Sequence, residues 1–237
     1  MGADGGGPMT VLAELVGWFS DPDHWSGPDG VPIRLLEHLE YTGLALLLAC
    51  LVAIPLGALV GHTGRGALLV VGAANALRAL PTLGVVIMVV LLTRIGFGPV
   101  LLALVVLAVP PVLAGTYAGI RAVDPMVVDA ARGVGMRERE VLLQVEVPNA
   151  LPLILGGIRS ATLQLVSTAT VAAFVAFGGL GRYILDGLSV RDFAEVLAGA
   201  VLVAALAMVL DLALAGVARL VVSDGIRAPR GRARSSV

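Results

Sequence analysis

Lysine is missing altogether: all 16 basic residues of this 237-residue chain are arginines. The GxxxxGK[ST] loop, whose lysine reaches nucleotide phosphates, therefore cannot be built here, and any ATP the protein depends on must be bound elsewhere. One cysteine, Cys50, lies inside an apolar run. It excludes an intrachain disulfide and reads as packing. Charged residues make up only 14% of the chain, hydrophobic residues 58%, and mean hydropathy is +0.96. Those values exclude an ordinary soluble domain and place the chain among membrane proteins. A net charge of −1 gives no sign of a nucleic-acid partner. His24, His38 and His62 stand in three different segments at unrelated spacings, which is not a metal-ligand pattern, and no nucleophile-and-base arrangement stands out.

The first thirty residues lack the basic-then-apolar order of a secretory signal and carry Asp4, Glu14, Asp21, Asp23 and Asp29, so no cleavage is expected. Gly, Pro and Asp clusters make residues 1–37 a loosely ordered leader outside the cell. Within it VLAELVGWF suits a short interfacial helix with Trp18 at headgroup level.

A bilayer needs about 20 apolar residues per crossing helix, because its hydrocarbon offers no water to satisfy backbone polar groups. Residues 41–61, 99–120, 151–178 and 193–222 qualify. The intervening 66–97 is too long for one straight span and contains Asn75, Arg78 and Pro81, so it is either one kinked helix or two short pieces. The expected fold is thus an all-α polytopic helical bundle, occupying 38–222, with five core spans and six as the alternative count. Cytoplasmic loops are enriched in arginine and lysine. With the N-terminus outside, ten loop and tail arginines fall on the cytoplasmic side and four on the outside, a count that omits the in-span Arg78 and Arg159. That bias predicts a cell-membrane protein with N-out, C-in topology and a basic cytoplasmic tail at 223–237.

Ionisable or amide side chains at membrane depth usually meet a partner or a water-filled path. Asn75, Arg78, Gln164 and Asp211 are such candidates, along with Pro81, which can break a helix and turn carbonyls toward a passage. For Arg78 and Asp211 a structural pair serves as well as a pathway role. Arg159, near the start of its span, is expected to snorkel. Gly178-Gly179-Leu180-Gly181 offers either a flexible outer turn or a plain kink. GxxxG patterns at 57–61 and 115–119 suit close helix contacts in lipid.

Residues 121–148 interrupt the grease with five acids and four arginines in 28 positions. Asp124 is placed to cap a helix whose first residue is Pro125, with Gly133 and Gly135 to end it. Met126 with Ala130, and Val127 with Ala131, are i,i+4 pairs that give an apolar ridge of small side chains. A second amphipathic segment, 137–147, is expected to stop at Pro148 before the next span. Such a helix can rest on lipid or lie in solvent. It can also be a docking knob, whose motion a soluble partner passes to the flanking spans.

The spacing Asp129-Ala130-Ala131, three residues, Gly135, nine residues, Val145-Glu146-Val147-Pro148 resembles the EAA signature of ABC importer permeases. Asp stands where Glu is usual, Val replaces both Ile and Leu, and Arg137 stands where many relatives carry Ser or Thr, which puts the cap of the second segment in doubt. Over residues 38–220 the phrases NALRALPTLGVV, TYAGIRAVDP and AFGGLG, followed by ILDGL, are similar to the osmoprotectant class, whose members import glycine betaine, carnitine, choline or proline. The resemblance implies that residues 121–150 form a coupling loop, with Asp129, Ala130, Ala131, Gly133, Gly135, Val145 and Pro148 against a cytoplasmic ATPase subunit that binds ATP. It also implies two permease subunits around one path, as homodimer or paralogous pair. With aromatics at 4%, too few for the cage a quaternary amine prefers, selection falls to a separate extracytoplasmic solute-binding protein. Permeases for methionine and other amino acids share several of these phrases. An ion-coupled secondary transporter using Asp211, Arg78 or Arg159, and a plain membrane anchor, are the readings from other classes.

Overall fold

The computed structural model describes residues 8–93, 96–175 and 178–222, without the side chains of Pro8, Met9, Leu69, Arg78 and Phe174. Helix α1 (Pro8–Ser20) leads through a 3₁₀ turn at Pro22–Trp25 into α2 (Val31–Thr63). Next come α3 (Ala67–Arg78), α4 (Thr82–Leu92) and α5 (Phe97–Arg121). The loop region holds α6 (Pro125–Gly133), α7 (Glu138–Glu140) and a π-helical turn (Val141–Glu146), which runs without interruption into α8 (Val147–Ala172). Helices α9 (Gly181–Val190) and α10 (Phe193–Val221) follow. Among the described residues four rods are long and apolar enough to cross a membrane: α2, α5, residues 138–172, and α10.

The described part of the 66–97 region forms two short helices bent by 95° from one another, so the count among the described residues is four unbroken spans, and five where this bent pair makes one broken span. Proline explains the break. Pro81 has extended backbone angles (φ −66°, ψ 123°) and its carbonyl accepts from Val85 N at 3.0 Å to start α4. It has no N–H with which to continue α3.

The first span begins earlier than expected, at Val31, because Gly30 is extended and a proline fills the first turn. The leader is also more structured than its composition suggests. Trp18 is 7% exposed and stacks on His24 with ring centroids 4.1 Å apart. It also meets Tyr183 of α9 edge-on at 5.4 Å, within a cluster that includes Val31 and Leu206. It is thus a packing residue rather than the headgroup anchor expected. Burial pushes the Tyr183 phenol up to about 12, so near neutral pH its hydroxyl stays protonated and donates to the Asp29 carbonyl at 2.6 Å.

Helix α5 is gripped from two sides. On α2, a Cβ at Gly57 would stand 2.9 Å from Thr116 Cβ, and one at Gly61 would stand 2.8 Å from Ile120 Cβ. On the other side, a Cβ at Gly115 would stand 2.7 Å from the Leu153 carbonyl oxygen, and one at Gly119 2.9 Å from that of Ala150. Gly157 of α8 faces the Pro111 carbonyl equally closely, at 2.8 Å. Both GxxxG patterns therefore mark crossings where backbones touch, which is how helices gain dispersion contact without a hydrophobic driving force. The core about them is aliphatic, built on Ala45, Ala49, Leu104, Val112 and Leu165.

Polar side chains close the remaining gaps. Pro111 cannot donate to the Leu107 carbonyl one turn back, and Gln164 of α8 donates its side-chain amide there instead, at 3.2 Å. Gln164, a pathway candidate from sequence, is a tie between α8 and α5. The guanidinium of Arg159, a residue expected to snorkel, forms a two-pronged ion pair with Asp211 of α10. Nor is 178–181 a loose turn. The Gly179 amide donates to the Glu37 carboxylate at 2.7 Å, and a Cβ at Gly178 would overlap that carboxylate.

Two substitutions test this packing. Gly157→Leu is expected to destabilise the bundle by about 3 kcal/mol or more through overpacking against backbone, read as a lower unfolding midpoint in detergent. Gln164→Leu is expected to cost about 1 kcal/mol by orphaning the Leu107 carbonyl, read the same way.

Candidate functional site

The loop end of the bundle is built on α6. Asp124 is extended, and its carboxylate accepts from Met126 N at 2.9 Å, with proline in the first turn. At the other end, Met136 N donates to Ala131 O at 3.2 Å and Gly135 N to Arg132 O at 3.0 Å. This paired arrangement is a Schellman stop, and it requires a left-handed residue at Gly135, whose φ is +90°. Gly133 is the last helical residue, has ordinary backbone angles and looks onto open space. Of the two expected stop glycines, the geometry relies on Gly135.

The ridge expected from sequence divides. Val128 and Ala131 point inward and are 8% exposed each, packing with Val123 and Val141. Met136 and Val145 flank that small core. Met126 (79% exposed), Val127 and Val134 (81%) point outward with Ala130. Ala131 thus seats the helix, while Ala130 belongs to a bare apolar patch on the opposite face. Val128, the inward partner of Ala131 at i,i+3, was missed by reading i,i+4 pairs alone.

Below α6 runs a chain of charges. Arg132 lies 3.6 Å from Asp129 and grips both carboxylate oxygens of Glu138 at 3.0 Å. The hydrogen bond to Glu138 raises Arg132 above its ordinary value, so it stays cationic at any working pH. His62, at the end of α2, approaches Glu138 at 3.2 Å through Nε2 and Glu146 at 2.6 Å through Nδ1. Sequence reading left His62, Glu138 and Glu146 unconnected, since His62 and Glu146 are 84 positions apart.

Arg137 initiates α7 with extended angles. A guanidinium has no lone pair to cap with. The cap is supplied in reverse, by the Glu140 carboxylate accepting from Arg137 N at 2.7 Å. Pro148 does not stop the second segment as expected. Proline is tolerated in the first turn of a helix, and the wide turn at Val141–Glu146 precedes it, so 138–172 is one rod. π-Turns of this kind recur at functional sites.

The pathway candidates do not converge. Asn75 is exposed in a shallow cleft of about 360 Å³ beside Gly72 and Tyr117, Pro81 sits at the α3–α4 break, and Asp211 is held by Arg159. The Arg78 side chain and the 223–237 tail lie outside the described residues. Among the described residues no group of three His, Cys, Asp or Glu is arranged to hold a metal.

Residues 53–224 match the family model described as binding-protein-dependent transport system inner membrane component. The chain is 37% identical over 194 residues to the choline transport system permease protein OpuBB of Bacillus subtilis, covering 82% of this chain and 89% of that one. It is 34% identical over 196 residues to the osmoprotectant import permease protein OsmW of Salmonella typhimurium, covering 81% and 91%. In fold it is similar to an inward-facing MetNI methionine ABC transporter, with a TM-score of 0.72 at 21% identity over 79% of this chain and 94% of the other. A solved amino acid ABC transporter gives 0.60 at 21% identity over 90% and 94%. The chain thus belongs to the binding-protein-dependent transport system inner membrane components, as a multi-pass permease whose curated relatives are osmoprotectant ABC permeases.

Proposed function

We propose that this chain is the permease subunit of an ATP-driven importer for a quaternary-amine osmoprotectant such as choline, glycine betaine or carnitine. One observation carries the reading: a short helix, capped at both ends and seated by Val128 and Ala131, presents Met126, Val127, Ala130 and Val134 bare to solvent. Exposed apolar patches on an otherwise charged loop fit a protein partner. That partner is a cytoplasmic ATPase, which puts the N-terminus outside and the C-terminus inside. The absence of lysine agrees with nucleotide being bound there; no cofactor and no catalysis are proposed for this chain. Selection of the solute rests with a separate extracytoplasmic binding protein, and the choice of quaternary amines over methionine rests on the choline, glycine betaine and carnitine permeases among the sequence relatives.

The path is completed by a second permease subunit. The most apolar stretch of α10 is only 17% buried within the chain, and that of α8-containing rod 138–172 only 28%, against half for α5. The Arg159–Asp211 pair sits on that thinly covered side, with Arg159 47% exposed. An ion pair so exposed is costly in hydrocarbon, which favours a protein neighbour or a wet passage there. Asn75 and the break at Pro81 are proposed to line the passage, with Asp211 bordering it. Because Asp211 is already committed to Arg159, nothing here favours proton or ion coupling.

Reconstitution with the ATPase tests the reading. Gly135→Asp places a side chain at φ +90°, where L-residues are strained. Uptake of labelled choline or glycine betaine is expected to fall at least ten-fold while the α2–α5–α8 core keeps its unfolding midpoint. Val134→Asp on the bare patch is expected to abolish co-elution with the ATPase. Uptake that persists without any ATPase refutes the proposal, and uptake of methionine in preference to quaternary amines corrects its substrate.

A further inference from the structure

We infer that His62 is a positioning residue, which links the loop helix α6 to the long span α2. This rests on the reading of α6 as the ATPase-docking element. Helix α6 leaves α5 at one side and returns through the π turn to α8, and its own core touches neither glycine crossing. Between α6 and the end of α2 lies a cleft of about 190 Å³, lined by Gly61, His62, Ile120, Pro125, Asp129 and Glu146. Among the described residues no shared apolar core bridges the two directly: α6 packs on Val123 and Val141, while Ala58 of α2 packs with Ile120, Ala150 and Ile154. The polar chain Asp129–Arg132–Glu138–His62–Glu146 does bridge them.

Its His62–Glu146 end is sheltered. The side chains of His62 and Glu146 are 9% and 7% exposed, and their contact is the shortest of the four links at 2.6 Å. Hydrogen bonds to a charged group in such a setting are stronger and more directional than at an open surface. His62 is itself fixed by its neighbour: Gly61 packs onto Ile120, the residue before the last of α5. A displacement of α6 that pulls on Arg132 and Glu138 thus reaches α2 at a rigid point. Imidazole suits the role because its two ring nitrogens point apart, so that one short side chain can reach both carboxylates, one on α7 and one on the π turn. Among hydrogen-bonding side chains of this size, glutamine can reach the nearer carboxylate with its amide, and alanine reaches neither.

Two measurements separate this inference from the reading beneath it. In the purified chain in nanodiscs, His62→Ala is expected to speed amide exchange of residues 126–140 about ten-fold, with the Gly115–Gly157 crossing unchanged. In the reconstituted complex, the same variant is expected to keep the ATPase bound and its hydrolysis within two-fold, while solute moved per ATP falls about ten-fold. His62→Gln should recover that ratio to within about three-fold. A double variant, His62→Ala with Glu146→Gln, should be no worse than His62→Ala alone. Unchanged exchange together with an unchanged solute-to-ATP ratio overturns the inference. Loss of the α2–α5–α8 core in His62→Ala and in His62→Gln alike also overturns it, in favour of a purely structural residue. If the unsubstituted chain proves to need no ATPase, the docking reading fails, and the exchange measurement alone still decides whether His62 holds α6.

Discussion

Close backbone contact at the two faces of α5 is the constraint on which the rest of the molecule depends. In lipid there is little to be gained by burying one aliphatic side chain against another, so helices associate where small residues let their main chains approach. Here Gly57 and Gly61 set α2 against Thr116 and Ile120, while Gly115, Gly119 and Gly157 set α5 against α8. Carbonyl oxygens lie where a side chain at Gly115, Gly119 or Gly157 would go, and the Thr116 and Ile120 side chains lie where one at Gly57 or Gly61 would. Such contacts do not deform gradually, because backbone cannot yield as the end of a flexible side chain does. The three helices therefore behave as one slab, and the loop 121–148 leaves that slab from α5 and re-enters it at α8. Its two ends are held before anything in the loop itself is considered.

That arrangement explains why the loop can be so polar and still be well formed. Nine charges would give a solvated tether if nothing else acted on them. Instead Asp124 satisfies a free amide at the start of α6, Gly135 turns the chain at its end, and Val128 with Ala131 sits on Val123 and Val141. The inward face does the holding, which leaves Met126, Ala130 and Val134 free of structural duty. An apolar patch with no internal partner costs little stability to keep and can be given over to a partner. The same division explains why two adjacent alanines have different roles: Ala131 fits a small core, and Ala130 keeps the outer face low.

Much of this was legible from composition and local pattern. The unbroken spans follow from runs of apolar residues, and the α6 start and stop follow from Asp124-Pro125 and Gly135, whose chemistry is local. The GxxxG pairs pointed correctly to close crossings, although the pattern does not name the facing residues. What escaped was everything that depends on residues far apart in sequence. Gln164 reads as a pathway amide until Pro111 is seen to free the Leu107 carbonyl beside it. Arg159 reads only as snorkelling until Asp211 is placed opposite. Trp18 looked like an interfacial anchor because nothing local announces Tyr183 and His24. Pro148 looked like a stop because proline ends helices from within, whereas here a π turn leads into it and it falls in a first turn.

Helix α2 is fastened at both ends, and this limits where motion can occur. At the loop end His62 meets Glu146 and Glu138. At the other, Glu37 accepts from the Gly179 amide, and His38, fully buried, lies 3.1 Å through Nε2 from the Val166 carbonyl of α8. Between those ends it is pressed onto α5. A span tied at each end and along its length can move only with its slab. The elements free to move against it are those with thinner attachments: the bent pair α3–α4, and α10, whose most apolar stretch is only 17% buried within the chain. A shift of α6 transmitted to the slab would therefore appear as a rigid-body rotation against those elements, the hinge-and-shear behaviour of packed helices.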